Sequence, residues 1–144
     1  MKAYLHTKVD WTRSQSSTVK LLNSKGVYET RFTNLEDRLV LEFRVVENGV
    51  SKPIAIRIIV PFKKTGNQIK DKKYINQLHR VLFHHLKAKF IAIESGLTEF
   101  MEEFMPYLLV TDKQGNSVTL SQALLPKYKK SLETGEQGEF KLLN

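Results

Sequence analysis

"RLVLEFRVVENGVSKPIAIRIIVPF", residues 38–62, is the stretch that decides the fold. Arg38–Val46 alternates, with Leu39, Leu41, Phe43 and Val45 pointing one way. Pro53–Phe62 alternates too, placing Ile54, Ile56, Ile58, Val60 and Phe62 on one face. Strict period-two alternation marks a strand with one buried side. Between the two runs lies Glu47-Asn48-Gly49-Val50, and Asn-Gly at the centre of a two-residue loop is a strong hairpin signal. With that loop, Glu47 pairs with Val50, Phe43 faces Ile54, Leu41 faces Ile56 and Leu39 faces Ile58. The apolar sides then coincide, which a one-residue slip would destroy. The opposite face carries Val40, Glu42, Arg44, Ala55, Arg57 and Ile59, a mixed and partly solvated surface. A further strand, Val27–Thr33, precedes the pair through the turn Asn34–Asp37, making an antiparallel meander.

Downstream, a lysine-heavy connector, residues 63–73, leads into a long helix that is predicted to begin near Asp71 and run to about residue 95. Ile75, Leu78, Leu82, Leu86, Phe90 and Ile93 recur at spacings of three and four, one wide apolar stripe for the sheet. The segment HRVLFHHLKAKFIAIESG, residues 79–96, has a cationic first half and an anionic end. A helix macrodipole favours the reverse order, so packing of the apolar stripe has to outweigh it. Gly96 ends this helix, and Thr98 is read as the cap of a short one over Glu99–Met105, closed by Pro106. Tyr107–Thr111 and Ser117–Leu120 flank DKQGN as a second hairpin, and Ser121 caps a last helix toward Leu132. At the other end, residues 2–9 suit a short strand. Thr12–Lys25 suits a helix with Thr12 or Ser14 as N-cap, Val19, Leu21 and Leu22 facing inward and Gly26 as its stop. The tail, residues 133–144, is expected to be loose apart from its apolar end. The fold class is therefore α+β: an antiparallel β-meander packed on a long helix, with a short C-terminal hairpin and helix, in a single domain over residues 1–144.

At 144 residues, 41% hydrophobic and 26% charged, the chain has the size and balance of one ordinary soluble domain. No apolar run approaches the roughly 18 residues of a membrane span, and the first ten residues lack the apolar core of a signal peptide. The absence of cysteine excludes disulfides, thiol catalysis and thiolate metal sites, and points to a cytoplasmic setting. The formal charge is +8 and the isoelectric point about 9.7, which favours a polyanionic partner, nucleic acid before membrane.

Enzymatic signals are thin. The seven glycines form no phosphate-cradling loop, and no nucleophile elbow appears. Of His6, His79, His84 and His85, the adjacent pair diverges by about 100° on a helix and chelates poorly. One of the four is expected half-buried against the sheet and the others solvated. Glu94, Glu99, Glu102 and Glu103 form an acidic group, with Glu99 and Glu103 on one helical face. A solvated face or a partner for nearby lysines is a simpler role for it than a Mg²⁺ site. Asp37, Glu42 and Arg44 make a loose D…E-x-K-like set, in which arginine is a poor substitute for a lysine base. No catalytic residue, metal ligand or cofactor is assigned.

The cationic pattern is stronger. Lys63, Lys64, Lys70, Lys72, Lys73, Arg80, Lys87 and Lys89 fall within 27 residues, with Asp71 the only acid among them. Lys73, Gln77, Arg80, His84 and Lys87 form one polar stripe opposite the apolar one, and Gln77 and Asn76 can add hydrogen bonds. A row of cations at such steps can track phosphates, although charge runs also serve simply as solvated faces. Exposed rings stack single-stranded bases, and the candidates are Trp11, Tyr28, Tyr74 and Tyr128. Trp11 also suits a hydrophobic staple at a helix entry.

The stretch KAKFIAIESGLTEFMEEF, residues 87–104, resembles an uncharacterised family of bacterial and prophage proteins with the signature K-A-K-L-E-A-V-E-S-G-I-x-T-F-x-E-E-F and a following L-P-D-G-x-T-V hairpin. Here the hairpin reads VTDKQGNSV, longer and without the proline. The family's early E-R-S-Q is similar to Thr12-Arg13-Ser14-Gln15, which is followed by a helix with Leu21-Leu22 that ends at Gly26. The resemblance extends over roughly the whole chain, but only the 87–104 block is specific. Ile91 stands where the family block has its first Glu, with Phe90 before it, and His79-Arg80 stands where the family has W-R. The resemblance implies a shared fold and a phage or mobile-element setting, not a reaction.

The sequence thus leads to a nucleic-acid-binding protein of a phage or mobile element, with single-stranded DNA in replication or recombination as the substrate class. Lys63, Lys64, Lys73, Arg80, His84, Lys87 and Arg57 are expected at the nucleic acid, with Trp11 or Tyr74 stacking. A homo-oligomer is the possible protein partner, and no membrane is expected. The alternatives are a non-enzymatic oligomerising or adaptor protein, whose acidic helix end docks a basic partner or a second copy, and a metal-dependent nuclease.

Overall fold

The computed structural model describes residues 3–135. Helix α1 (Trp11–Ser24) is followed by strands β1 (Thr30–Asn34), β2 (Arg38–Val45) and β3 (Ile54–Pro61) and the long helix α2 (Gln68–Glu94). The short helix α3 (Phe100–Phe104) passes through a 3-10 turn, Met105–Tyr107, into strands β4 (Leu109–Thr111) and β5 (Ser117–Thr119) and helix α4 (Leu120–Glu133). The architecture is the expected α+β one, an antiparallel sheet in the order β1-β2-β3 with a separate β4-β5 hairpin. Leu108 bridges Ile56 on the free edge of β3, so the C-terminal hairpin starts beside the sheet.

The register of the central hairpin differs from the expected one by two residues. Leu39 pairs with Val60, Leu41 with Ile58, Phe43 with Ile56 and Val45 with Ile54. The Asn48-Gly49 turn does form, with Val50 N–H donating to the Glu47 carbonyl and Gly49 in the left-handed region at φ 84°. It sits inside a longer loop over residues 46–53, however. The expected register would have placed Pro53 opposite Arg44 within a paired strand, where proline cannot donate to the ladder. An even shift keeps every side chain on its own face, so the core is as expected.

That core joins the inner face of the sheet to the two long helices. Leu39, Leu41, Phe43, Ile56 and Ile58 pack with Leu82, Leu86 and Phe90 of α2 and Leu22 of α1. Phe104 of α3 is fully buried, stacked on Phe100 at 4.8 Å and edge-on to Phe43 at 6.0 Å. Both α1 and α2 end in a Schellman motif with glycine at the left-handed position. Val27 N–H donates to the Leu22 carbonyl past Gly26, and Leu97 N–H to the Ala92 carbonyl past Gly96.

The helix caps are the main local corrections. Asp10, not Thr12 or Ser14, caps α1, accepting from Thr12 N–H at 3.2 Å, while Ser14 is buried inside the helix. Asn67 caps α2 and accepts from the Ile69 and Lys70 N–H groups, so the helix begins a turn earlier than Asp71. Glu99, not Thr98, occupies the cap position of α3, and the Glu102 carboxylate accepts its N–H at 3.1 Å. Thr119, not Ser121, caps α4, in a capping box with Gln122. Residues 3–6 form a turn rather than part of a strand; Gln77 of α2 donates to the Ala3 carbonyl at 2.7 Å, and no described strand pairs with them. The apolar end of the tail lies outside the described residues.

Candidate nucleic-acid interface

The structure divides the expected site into three parts. At the head of α2, residues 68, 71, 72 and 75 share one face, and Trp11, the first residue of α1, lies against it. The Trp11 backbone N–H donates to Asn76 Oδ1 at 2.9 Å, and its ring meets the buried His79 ring at 5.4 Å. The half-buried indole borders a groove of about 370 Å³ together with Lys64, Gln68, Asp71, Lys72 and Ile75. Trp11 is therefore no staple before the helix but a residue of its first turn. Tyr74 points elsewhere: it lies edge-on to Phe62 at 6.2 Å and is half-buried. Of the other ring candidates, Tyr28 and Tyr128 are exposed.

The second part is the outward face of α2. Lys73 and Lys87 are exposed along it. Arg80 is half-buried over the Phe83 ring, 5.1 Å from its centre. The stripe is interrupted. Gln77 is buried under the N-terminal segment, and the His84 ring stacks on Tyr4 at 4.8 Å with an 8° interplanar angle. Burial pulls the His84 pKa down, and the charges of Arg80 and Lys87 pull it further, which weakens His84 as a member of the cationic stripe.

The third part is Arg57, on the other side of the sheet. Glu42 stands directly opposite both Arg31 and Arg57 in the ladder and binds both, at 2.6 and 3.0 Å. Arg57 also donates to the Ser117 carbonyl at 3.2 Å. Burial alone would raise the Glu42 carboxyl, but the hydrogen bonds and charges of the two guanidinium groups outweigh it and hold the pKa below its ordinary value. Arg44 pairs with Glu29 and Arg38 with Asp37. Asp37, Glu42 and Arg44 are thus engaged in four ion pairs with other residues rather than converging.

Lys89 also leaves the expected cationic run. Its ammonium binds the Glu103 carboxylate at 3.1 Å and lies over the Phe104 and Tyr107 rings. The acidic group separates likewise: Glu94 pairs with Lys25, Glu102 accepts the N–H of Glu99 at the start of α3, and Glu103 takes Lys89 and the Thr98 hydroxyl. His79, only 1% exposed, packs between Trp11 and Phe32, and burial lowers its pKa to about 4. His85 meets the Tyr107 hydroxyl at 3.3 Å. Among the described residues no group of three or more acidic or imidazole side chains is placed to hold a metal ion, and no helix is long and apolar enough to cross a membrane.

What remains is a set of cations with no carboxylate within ion-pair distance among the described residues: Lys63, Lys64, Lys70, Lys72, Lys73, Arg80 and Lys87. Lys72, part of the cationic run but not among the expected contacts, and Gln68, which the sequence reading did not single out, line the groove beside Trp11. The signal that could have placed them is the three-and-four spacing that runs back from Ile75 once α2 is started at Gln68. Compared with family models, curated proteins and solved structures, the chain matches none of them.

Proposed function

We propose that this chain is a non-enzymatic nucleic-acid-binding protein that holds single-stranded DNA against the head and outer face of α2. One observation carries the reading: among the described residues, the cations between Lys63 and Lys87 form no ion pair, with only Asp71 and Asp10 nearby to temper Lys64 and Lys72, and they stand beside a half-exposed tryptophan. Lysines outside ion pairs meet phosphates at little reorganisation cost, and an indole face takes a base of any sequence. In this reading Lys63, Lys64, Lys72 and Lys73 contact phosphate near Trp11, and Arg80 and Lys87 continue the track. The resemblance of residues 87–104 to the prophage family supports a phage or mobile-element setting, and the absence of cysteine supports a cytoplasmic one.

The test is a titration of labelled oligonucleotides at rising salt. With six phosphate contacts, log affinity falls against log salt with a slope of about −4 for a single strand. Trp11 is the only tryptophan, so its fluorescence reports stacking directly. Competition with duplex DNA and with RNA orders the substrates. No binding at low salt, or binding indifferent to salt, contradicts the proposal.

A further inference from the structure

At the far end of α2 the surface has the opposite character. A groove of about 840 Å³ opens between the 46–53 loop and the α2–α3 junction. Its floor is apolar, from Val27, Phe90, Phe100 and Met101, and Val46 on its wall is 80% exposed. Its rim carries Glu47, Glu94 and Glu99, against the one ammonium of Lys25. No residue of α4 lines it.

Helix α4 is the complement of that groove. None of its residues is fully buried. Leu125, Tyr128 and Leu132, at spacings of three and four, form an apolar ridge that faces solvent, with Tyr128 64% and Leu132 56% exposed. Lys129 adjoins the ridge, Lys127 and Lys130 lie on the same helix, and no carboxylate precedes Glu133 at its end. An amphipathic helix with a cationic flank fits an apolar groove with an anionic rim, both by burial and by charge.

We infer that α4 of one molecule docks into the α2–α3 groove of a second copy, giving head-to-tail self-association. Groove and helix are different surfaces, so each molecule offers one of each and the contact does not close on itself in a pair; it grows into a ring or a chain. The inference does not depend on nucleic-acid binding.

Sedimentation velocity on the full chain, without nucleic acid, tests it over an approximately hundredfold concentration range. The wild type is expected to sediment faster as concentration rises, and less so at high salt. Two double variants are decisive: Glu47→Lys with Glu94→Lys, which makes the rim cationic, and Lys129→Glu with Lys130→Glu, which makes the helix anionic. Each alone should stay monomeric, with a wild-type circular dichroism spectrum. Mixed in equal amounts they should assemble again into an alternating ring or chain, because the reversed groove of one matches the reversed helix of the other and their two unaltered surfaces match as well. Leu132→Asp, at an exposed position, should abolish self-association on its own. A wild type that is monomeric at every concentration overturns the inference. So does assembly that survives both double variants, or folded variants that fail to pair on mixing.

Discussion

The arginines of the sheet and the lysines at the head of α2 carry the same charge in opposite surroundings. Arg31, Arg38, Arg44 and Arg57 each hold a carboxylate, and Arg31 and Arg57 share Glu42 between three strands. Among the described residues, Lys63, Lys64, Lys70, Lys72 and Lys73 hold none within ion-pair distance. A paired cation is spent on architecture, because freeing it leaves its partner uncompensated. An unpaired one contributes little to folding and stays available to a polyanion. Total charge does not separate the two sets; the ladder register and the helix face do.

The comparison can be broken in several places, and the largest expected effect concerns a basic group that stays uncharged. His79 lies under Trp11 with its pKa lowered to about 4 from 6.5. The folded state then binds fewer protons than the unfolded one between those values. His79 therefore contributes stability that is fully present above pH 6.5 and falls by about 3 kcal/mol as the pH drops toward 4. Urea denaturation at pH 7 and pH 4.5 should show the decline, and His79→Phe should flatten it. An unchanged decline in that variant would mean that another group drives it.

Next in size is Glu42→Gln, which leaves two guanidinium groups without their shared charge. It should lower stability by about 2 kcal/mol in chemical denaturation while leaving oligonucleotide affinity at or slightly above wild type. A large loss of affinity with unchanged stability would put the arginine face, not α2, at the nucleic acid. Tyr4→Ala should cost up to about 1 kcal/mol by removing the ring over His84, and affinity should hold or rise as the stripe is uncovered. Smallest of all, Lys64→Ala, Lys72→Ala and Lys73→Ala should each change stability by less than about 0.5 kcal/mol.

Much of this was readable from the residues. The alternation of residues 38–46 and 53–62 and the spacing of Leu78, Leu82, Leu86 and Phe90 specify the sheet, the helix and the faces they share. Faces tolerate an even shift of register, however, so the Asn48-Gly49 signal fixed the wrong pairing without disturbing the core. That error hid Arg57's partner. In the expected register Glu42 faces Ala55, whereas in the structure it faces Arg57, and Arg57 drops out of the candidate site. The covering of Gln77 and His84 by residues 3–6 had no local signal, since it depends on a side-chain hydrogen bond and a ring stack between segments far apart in sequence. Similarly, Lys89 belongs to the cationic run by position, and only the packing of α3 against α2 gives it Glu103.

The most direct test exchanges the two sets. Affinity for a single-stranded oligonucleotide is measured against salt for the wild type, for the Lys64→Ala, Lys72→Ala, Lys73→Ala triple variant, and for an Arg31→Ala, Arg44→Ala double variant. The lysine variant should lose about two units of salt slope and roughly 10- to 100-fold in affinity at low salt, while the arginine variant keeps the wild-type slope. Equal slopes in the wild type and the lysine variant, or a loss confined to the arginine variant, would contradict the assignment of the binding face to α2.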